Sequence, residues 1–265
     1  MPIGVITGSG THALPGSDER AREAVATPWG EVEIARGEIG GTEVLHVSRH
    51  GEGHPRLSNH VGHRANIAAL SRLGATAAVG LTVCGAVDPD VELGSLICFD
   101  DLHFPSNRLP DGDLCTFYAR PGDPRRGHWI FEAPYCEPLR QALLAGAREA
   151  GLPMVASGCY GHVDGPRFNS RAEIRALAAC GVTAVSQTAG PETVLAGEAE
   201  LPFALVGYAT DHANGVKPQA TPVSDLLALI AASTETFARL LAAGLPRVDE
   251  SALAPTGVVY RFGEE

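Results

Sequence analysis

The stretch VTAVSQTAGPETVLAGEAELPFALVGYATDH, residues 182–212, decides the fold class of this chain. A short apolar run at residues 182–185 predicts a buried strand, and Pro191 lies near the start of a helical segment at residues 191–199. A second apolar run at residues 203–209 predicts another buried strand. This order of strand, helix and strand is typical of an α/β protein with a largely buried sheet.

The rest of the chain continues the alternation. Ser170 and Glu173 have the spacing of a capping box, which predicts a helix beginning there. The segment 101–135 is rich in Pro, Gly, Asp and Arg and predicts a long surface excursion, and SGCYGHVDG, residues 157–165, predicts a Gly-rich loop. Further strands are predicted at 3–6, 77–84, 95–99 and 154–159, a hairpin at 29–48, and helices at 64–75, 137–150 and 223–243.

Composition narrows the class of protein. The 265 residues fit one domain, which we expect to have a core at residues 1–245 and a tail at residues 246–265. Acidic residues outnumber basic ones by 31 to 20, without a compensating Lys/Arg cluster, which disfavours a nucleic-acid partner. The six cysteines are scattered and form no CxxC pair. We expect no membrane span, no secretory leader and a cytoplasmic location.

The N-terminal loop GVITGSGTHALPG, residues 4–16, resembles a dinucleotide fingerprint, Gly8-x-Gly10-x-x-Ala13. That fingerprint needs a helix starting at the glycines, whereas Pro15 and Gly16 follow almost at once. The βαβ context is therefore missing. Two interpretations stay open at this point: a turn that binds an anion through Ser9 and backbone N–H groups, or a tight turn alone.

Polar groups suited to an anion follow several predicted strands. Ligands of α/β proteins lie at the carboxyl ends of strands, and an arginine with several hydroxyls can form a phosphate cage. The residues at these ends are Arg49, His50, Thr82, Cys84, Gly85, Gln187, Thr188, Thr210 and Asp211.

In this order and spacing, six segments resemble the trimeric purine nucleoside phosphorylases, in their methylthioadenosine/methylthioinosine phosphorylase branch. The resemblance covers residues 4–241 and implies a single α/β domain with a mixed central sheet flanked by helices. It also implies a homotrimer, with inorganic phosphate as co-substrate and neither cofactor nor metal. The segments are GVITGSG, RHGEGH followed by HRANIAAL, TVCGAV, GPRFNSRAEIRAL, QTAGPETVLAGEAELPFALV and ATDHANGV.

The implied reaction is phosphorolysis of a purine nucleoside, as part of purine salvage. Phosphate attacks C1′, and the free base and a pentose 1-phosphate leave. The glycosidic bond breaks through an oxocarbenium-like state, which the anion stabilises. A carboxyl group at purine N7 assists departure of the base.

By matching motif positions, the resemblance assigns roles to individual residues. Asp211 is the catalytic residue at N7. The phosphate contacts are Ser9, Arg49, His50, Thr82, the Val83 N–H and Thr188. The substrate contacts are Cys84, Gly85, Phe168, Asn169, Gln187 and Ala213, with Val223, Leu226 and Leu227 facing the 5′ substituent.

Two departures from the family pattern leave the substrate open. Ala213 stands where the adenine-specific branch has a second aspartate, which accepts from the 6-amino group, so a 6-oxopurine is also allowed; Asn214 is a possible substitute contact. Gln187 stands in place of a methionine that lies against the ribose, which hints at an altered sugar. His63 and Ala68 also differ from the family, which has a tyrosine and a bulky aromatic residue there.

Two rival functions are compatible with the same scaffold. A nucleoside hydrolase on the same scaffold would not need the phosphate residues, and a non-catalytic nucleoside-binding protein would be consistent with Ala213 and Gln187. A metal site in the histidine-rich loop and a nucleophile pair of Cys159 with His162 are less favoured interpretations, because neither has a familiar ligand spacing or a third orienting group.

Overall fold

A computed structural model describes residues 1–9, 11, 13, 16–123 and 125–262. Gly10 of the N-terminal loop lies outside the described residues. The strands are β1 (Ile3–Thr7), β2 (Ala21–Thr27), β3 (Gly30–Ile39), β4 (Thr42–Ser48), β5 (Ala77–Ala86), β6 (Leu96–Cys98), β7 (Asp101–His103), β8 (Gly127–Ile130), β9 (Met154–Val155), β10 (Cys159–His162), β11 (Val182–Ser186), β12 (Phe203–His212) and β13 (Val258–Arg261). The helices are α1 (His63–Arg72), α2 (Glu137–Glu149), α3 (Arg171–Ala179), α4 (Ala189–Glu198) and α5 (Val223–Gly244).

Eleven strands form one mixed sheet built around β5. Its main path runs β2-β3-β4-β1-β5-β11-β10-β7, and β12 pairs with β5 along nearly its whole length. The strands β1 and β12 run parallel to β5, whereas β11 runs antiparallel to it. The predicted mixed central sheet is therefore confirmed.

The edge of β5 opposite β12 is shared by two strands. β1 pairs with β5 up to Gly80, and β11 pairs with it at Gly85 and Ala86. Because β1 and β11 approach from opposite directions, their carboxyl ends meet beside residues 81–84 of β5. This interruption of the sheet is a switch point, where α/β proteins place ligands.

Helices cover both faces of the sheet, as the resemblance implies. On one face, Ile67 and Leu70 of α1 and Leu195 of α4 are buried in one apolar cluster. On the other face, α2 and α5 contribute Leu139, Leu143, Phe237 and Leu240 to a second cluster. Burying each such side chain stabilises the fold by roughly 1.5–3 kcal/mol.

Within the described residues, one segment, Val223–Arg247, is long and apolar enough to cross a membrane by length and composition. The sequence analysis expected no such segment. The C-terminal half of α5 buries Phe237, Leu240 and Leu241 against the sheet. We therefore interpret α5 as a core helix whose first half lies at the surface.

Several predicted boundaries are wrong. The segment 101–135 is only partly a surface excursion, because β7 joins the main sheet and β8 pairs with β13 of the predicted tail. The predicted strand at 154–159 is two separate strands, β9 and β10. β2 was missed, since its mostly exposed side chains give it little apolar pattern.

The Gly-rich segment 157–165 is not only a loop. It contains β10, an interior strand between β7 and β11, with Tyr160 fully buried. Its glycines interrupt the apolar run, so a search for apolar runs does not indicate this strand. The capping box is confirmed: Ser170 Oγ accepts from the Glu173 N–H at 3.3 Å, and Glu173 Oε2 accepts from the Ser170 N–H at 2.7 Å.

Candidate active site

A cavity of about 260 Å³ opens at the switch point of the sheet. Residues from the ends of β1, β5, β11 and β12 form its floor, and the loops after β4 and β10 form its walls. Most of the predicted site residues line it: Ser9, His50, Thr82, Val83, Cys84, Gly85, Phe168, Asn169, Gln187, Thr188, Asp211, Ala213 and Leu226.

Three predicted site residues do not line the cavity. Val223 and Leu227 are 69% and 59% exposed on the outer face of α5, one turn apart, so only Leu226 of that turn reaches inward. The structure does not bring these two residues to the cavity lining, and their contact with the 5′ substituent stays a prediction. Arg49 lies behind the cavity, with its side chain fully buried.

Arg49 is held by a buried acid. Its Nε and Nη2 donate to the two carboxylate oxygens of Glu192 at 2.6 and 2.7 Å, and its Nη1 donates to the Leu81 carbonyl at 2.5 Å. Burial alone would raise the pKa of Glu192, but the charge and hydrogen bonds of Arg49, together with His63, lower it to about 2. The guanidinium is thus fixed and largely neutralised.

Gly8 lies between the Arg49 guanidinium and the cavity. A Cβ at Gly8 would lie 3.1 Å from Arg49 Nη1 and 3.9 Å from His50 Nε2. Because Arg49 is held at all three nitrogens, it cannot easily move away from a larger residue. The glycine therefore lets the guanidinium approach the floor of the cavity closely.

His50 is a neutral hydrogen-bond acceptor at neutral pH. Its Nδ1 lies 2.7 Å from the Arg56 carbonyl, which can only accept, so Nδ1 carries the proton. Burial lowers the pKa of His50 to about 4. Its Nε2 is consequently unprotonated, and a ligand proton can be donated to it.

Hydroxyl groups and backbone donors complete the end of the cavity near Gly8 and His50. Thr82 Oγ1 lies 2.9 Å from Ser186 Oγ, which links β5 to β11. Thr188 directly precedes α4, so the N-terminus of that helix, which favours anions, faces the cavity. Val83 and Leu81 lie two residues apart in β5, so their backbone groups point to the same edge of the strand. At this edge the Leu81 carbonyl accepts a hydrogen bond from Arg49.

Asp211 lies at the opposite end, near the end of β12. Burial raises the pKa of its carboxyl group, and the hydrogen bond from Thr210 Oγ1 to Oδ1, at 2.9 Å, only partly offsets this. A Cβ at Gly85 would lie 3.2 Å from Oδ2, so the glycine leaves room beside the carboxyl group. A carboxyl group of raised pKa that faces a cavity is suited to proton transfer.

The less favoured interpretations have little support in the structure. Burial raises the pKa of the Cys159 thiol to about 11, so it is not an activated nucleophile. His162 is buried against Phe104, and burial lowers its pKa to about 3. In the part of the chain that the structure describes, no three His, Cys, Asp or Glu side chains gather as a metal site.

The sequence analysis missed several residues of the site. Ser186 closes β11 two residues before Thr188, and this spacing of hydroxyls at a strand end could have indicated it. Glu192 is a lone acid in the apolar first turns of α4, a signal that it pairs with a buried cation. Ser58 lines the cavity from a loop whose conformation no pattern indicated.

Known proteins match this arrangement. The sequence matches the phosphorylase superfamily over residues 2–245. The chain belongs to this family. The conclusion agrees with the fold, because each of the six segments that carry the resemblance contributes residues to the cavity of this phosphorylase.

Relatives of this phosphorylase carry names that differ in substrate. A 6-oxopurine nucleoside phosphorylase of Pyrococcus furiosus is 34% identical over 94% of each chain. An S-methyl-5'-thioadenosine phosphorylase of Mycobacterium tuberculosis is 35% identical, over 93% of this chain and 89% of its own. A solved methylthioadenosine phosphorylase from Schistosoma mansoni in complex with adenine superposes with a TM-score of 0.83 and 26% identity, over 92% and 90% of the two chains.

Proposed function

We propose that this enzyme is a pentosyltransferase that catalyses phosphorolysis of a purine nucleoside, with inorganic phosphate as co-substrate. The observation that carries the proposal is that the two ends of one cavity carry different chemical groups. Neutral donors and acceptors suited to phosphate lie at one end, and Asp211, a carboxyl group of raised pKa, lies at the other. Ser9, Thr82, Val83 and Thr188 supply the donors.

Phosphate is the nucleophile. A phosphate oxygen forms a bond to C1′ while the bond from C1′ to purine N9 breaks, and the electron pair of that bond moves onto the base. The anion also stabilises the positive charge that develops on the sugar. His50 Nε2 accepts a hydrogen bond from the P–O–H group of hydrogen phosphate and thereby orients the remaining oxygens toward C1′.

Asp211 assists departure of the base. In its protonated form it donates to purine N7, so the base leaves without a full negative charge. The burial that raises the pKa of this carboxyl group favours the protonated form. Because Gly8 has no side chain, the Arg49 guanidinium lies close behind the phosphate end of the cavity, and Glu192 keeps the guanidinium in place.

The 5′ end of the sugar faces apolar residues of α5, in this proposal. Leu226 and Ile230 line the cavity on that side, and Leu57 lies on the facing loop. Such a surface favours an apolar 5′ substituent, such as a methylthio group, over a charged one. The names of the relatives support both adenine-type and 6-oxopurine bases, so the preferred base has to be measured.

We also propose a homotrimer located in the cytoplasm. Two exposed apolar groups support self-association, because contiguous apolar surface commonly marks a protein interface. The first contains Leu57 and Phe168, which line the cavity, together with Val223 and Leu227 on the outer face of α5. The second lies on the β8–β13 sheet and its flanks and contains Ile130, Phe131, Val258, Tyr260 and Phe262. Sedimentation equilibrium should give three times the 27.6 kDa chain mass.

The activity is tested by following release of free base from adenosine, inosine, guanosine and their 5′-methylthio forms. Turnover should need phosphate and yield a pentose 1-phosphate. Equal release without phosphate would instead indicate a hydrolase, and binding without turnover would indicate a non-catalytic nucleoside-binding protein.

A further inference from the structure

Residues 165–169, here called the strap, cross the mouth of the cavity between β10 and α3. Pro166, Phe168 and Asn169 of the strap line the cavity, although Phe168 remains 61% exposed. An exposed ring can serve as a wall for a planar base only if the backbone that carries it is fixed. The contacts that fix the strap therefore matter for substrate binding.

Gln187 anchors the strap from the end of β11. Its Nε2 donates to the Arg167 carbonyl at 3.1 Å, and its Oε1 accepts from Ser58 Oγ at 2.8 Å. A carbonyl can only accept, so these partners fix which way the amide points. Gly165 contacts both members of the Ser58–Gln187 pair so closely that a Cβ there would overlap them. The amide joins both walls of the cavity.

Asn214 anchors the strap from the opposite side. Its Nδ2 donates to the Asn169 carbonyl at 2.7 Å. The side chain of Arg167 points outward to Glu173, at 2.6 and 2.9 Å, and Glu173 belongs to the capping box of α3. The strap is thus held at its middle by Gln187 and at its end by Asn214.

We propose that Gln187 and Asn214 are positioning residues that hold the strap in place before the nucleoside binds. The sequence analysis assigned Gln187 to the sugar and considered Asn214 as a contact to the base. The amide of Gln187 would lose a contact to Ser58 or Arg167 if it turned to the sugar hydroxyls. The proposal concerns the site of the proposed function, but its first test needs no substrate.

Hydrogen exchange of the unliganded protein tests the anchoring directly. The Ser170 amide directly after the strap donates to Glu173 Oε2 at 2.7 Å, and it should exchange about five- to tenfold faster in Gln187→Leu and in Asn214→Ala, the change expected from loss of one hydrogen bond of about 1 kcal/mol. Gln141→Leu, an exposed glutamine of α2 that donates to Glu137, is the matched control and should leave strap exchange unchanged. Unchanged exchange in both anchor variants would overturn the proposal.

Kinetics distinguish a positioning role from direct contact. In Gln187→Leu the KM for the nucleoside should rise about tenfold, with the KM for phosphate within twofold of the parent. The ratio of kcat/KM for ribonucleosides to 2′-deoxyribonucleosides should stay unchanged, because no sugar hydroxyl loses a partner. A selective loss with ribonucleosides would show that Gln187 contacts the sugar and would overturn the proposal for it.

The double variant tests whether both residues act on one segment. Gln187→Leu with Asn214→Ala should raise the KM for the nucleoside by less than the product of the two single effects, since either loss already frees the strap. Multiplicative effects would indicate two independent substrate contacts. If the parent enzyme turns over no nucleoside, the proposed function fails, while the exchange data still decide the anchoring.

Discussion

Arg49 and Glu192 form a two-bond ion pair directly behind the floor of the cavity, and neither side chain is exposed. Such a pair compensates the cost of removing two charges from water only while both partners remain. It joins the loop after β4 to α4, the two elements that carry His50 and Thr188. The pair therefore fixes the phosphate end of the cavity.

Replacing Glu192 by Gln should lower the free energy of unfolding by about 3–5 kcal/mol, because the Arg49 charge would stay buried without a counterion. Urea unfolding measures the loss. Glu43→Gln, whose carboxylate lies 3.5 Å from Arg36 at the surface, is the control and should change stability by less than about 1 kcal/mol. A similarly small effect at Glu192 would contradict the role of the pair.

Acid should also weaken the protein through Glu192. Its pKa is about 2 in the folded protein against 4.5 for the free side chain, so ionised Glu192 stabilises the fold above pH 4.5. That contribution, about 3 kcal/mol, is lost as the pH falls from 4.5 toward 2. Urea unfolding at several pH values should show a smaller loss over this range in Glu192→Gln than in the parent. Parallel curves would contradict the assignment.

Gly8→Ala should impair phosphate binding selectively. The added Cβ would lie 3.1 Å from Arg49 Nη1, and either the loop or the guanidinium must shift. We expect the KM for phosphate to rise about tenfold, the effect of losing roughly one charge-assisted hydrogen bond, with the KM for the nucleoside nearly unchanged. Gly62→Ala, where the nearest atom lies at 3.7 Å, is the matched control. Equal changes in both KM values would argue against a local effect.

Asp211→Asn removes proton transfer but keeps a hydrogen-bond donor of similar shape. Initial rates should show kcat/KM falling about 10²- to 10⁴-fold with 6-aminopurine nucleosides, the range for a lost general acid. The loss should be smaller with 6-oxopurine nucleosides, because an amide can donate to O6. Asp90→Asn, in an exposed turn, controls for the charge change. Full activity of Asp211→Asn would remove the carboxyl group from the mechanism.

Ala213→Asp tests the choice of base. Ala213 is buried and lies close to Gly85, beside the Asp211 carboxyl group. A second carboxylate would accept from a 6-amino group and repel O6, so kcat/KM should shift at least tenfold toward 6-aminopurine nucleosides. Ala213→Asn, with similar volume and no charge, should shift the preference much less. An unchanged ratio for Ala213→Asp would show that this position does not contact the base.

Much of the fold was predictable because buried strands and capped helices leave local patterns. The run at residues 203–209 and the Ser170–Glu173 box are set by neighbours in sequence, and both were predicted. β10 was missed because its burial comes from β7 and β11, which lie far away along the chain.

The site residues were predicted from motif positions, which say which residues gather but not what each side chain does there. Gln187 lines the cavity as expected, yet its partners, Ser58 and Arg167, lie 129 and 20 residues away in sequence. Arg49 follows a strand end as expected, but its pairing with Glu192 holds the guanidinium behind Gly8, outside the cavity lining. Such orientations depend on tertiary contacts alone.

The protonation state of His50 has a consequence for the choice of oxyanion. A neutral imidazole that donates through Nδ1 offers only a lone pair at Nε2, and an anion satisfies it only by bringing a hydrogen of its own. Hydrogen phosphate and hydrogen arsenate carry one at neutral pH, whereas sulfate carries none. If phosphate binds as proposed, we expect the enzyme to prefer hydrogen phosphate over sulfate, a dianion of nearly equal size and charge, because sulfate would leave His50 Nε2 without a donor.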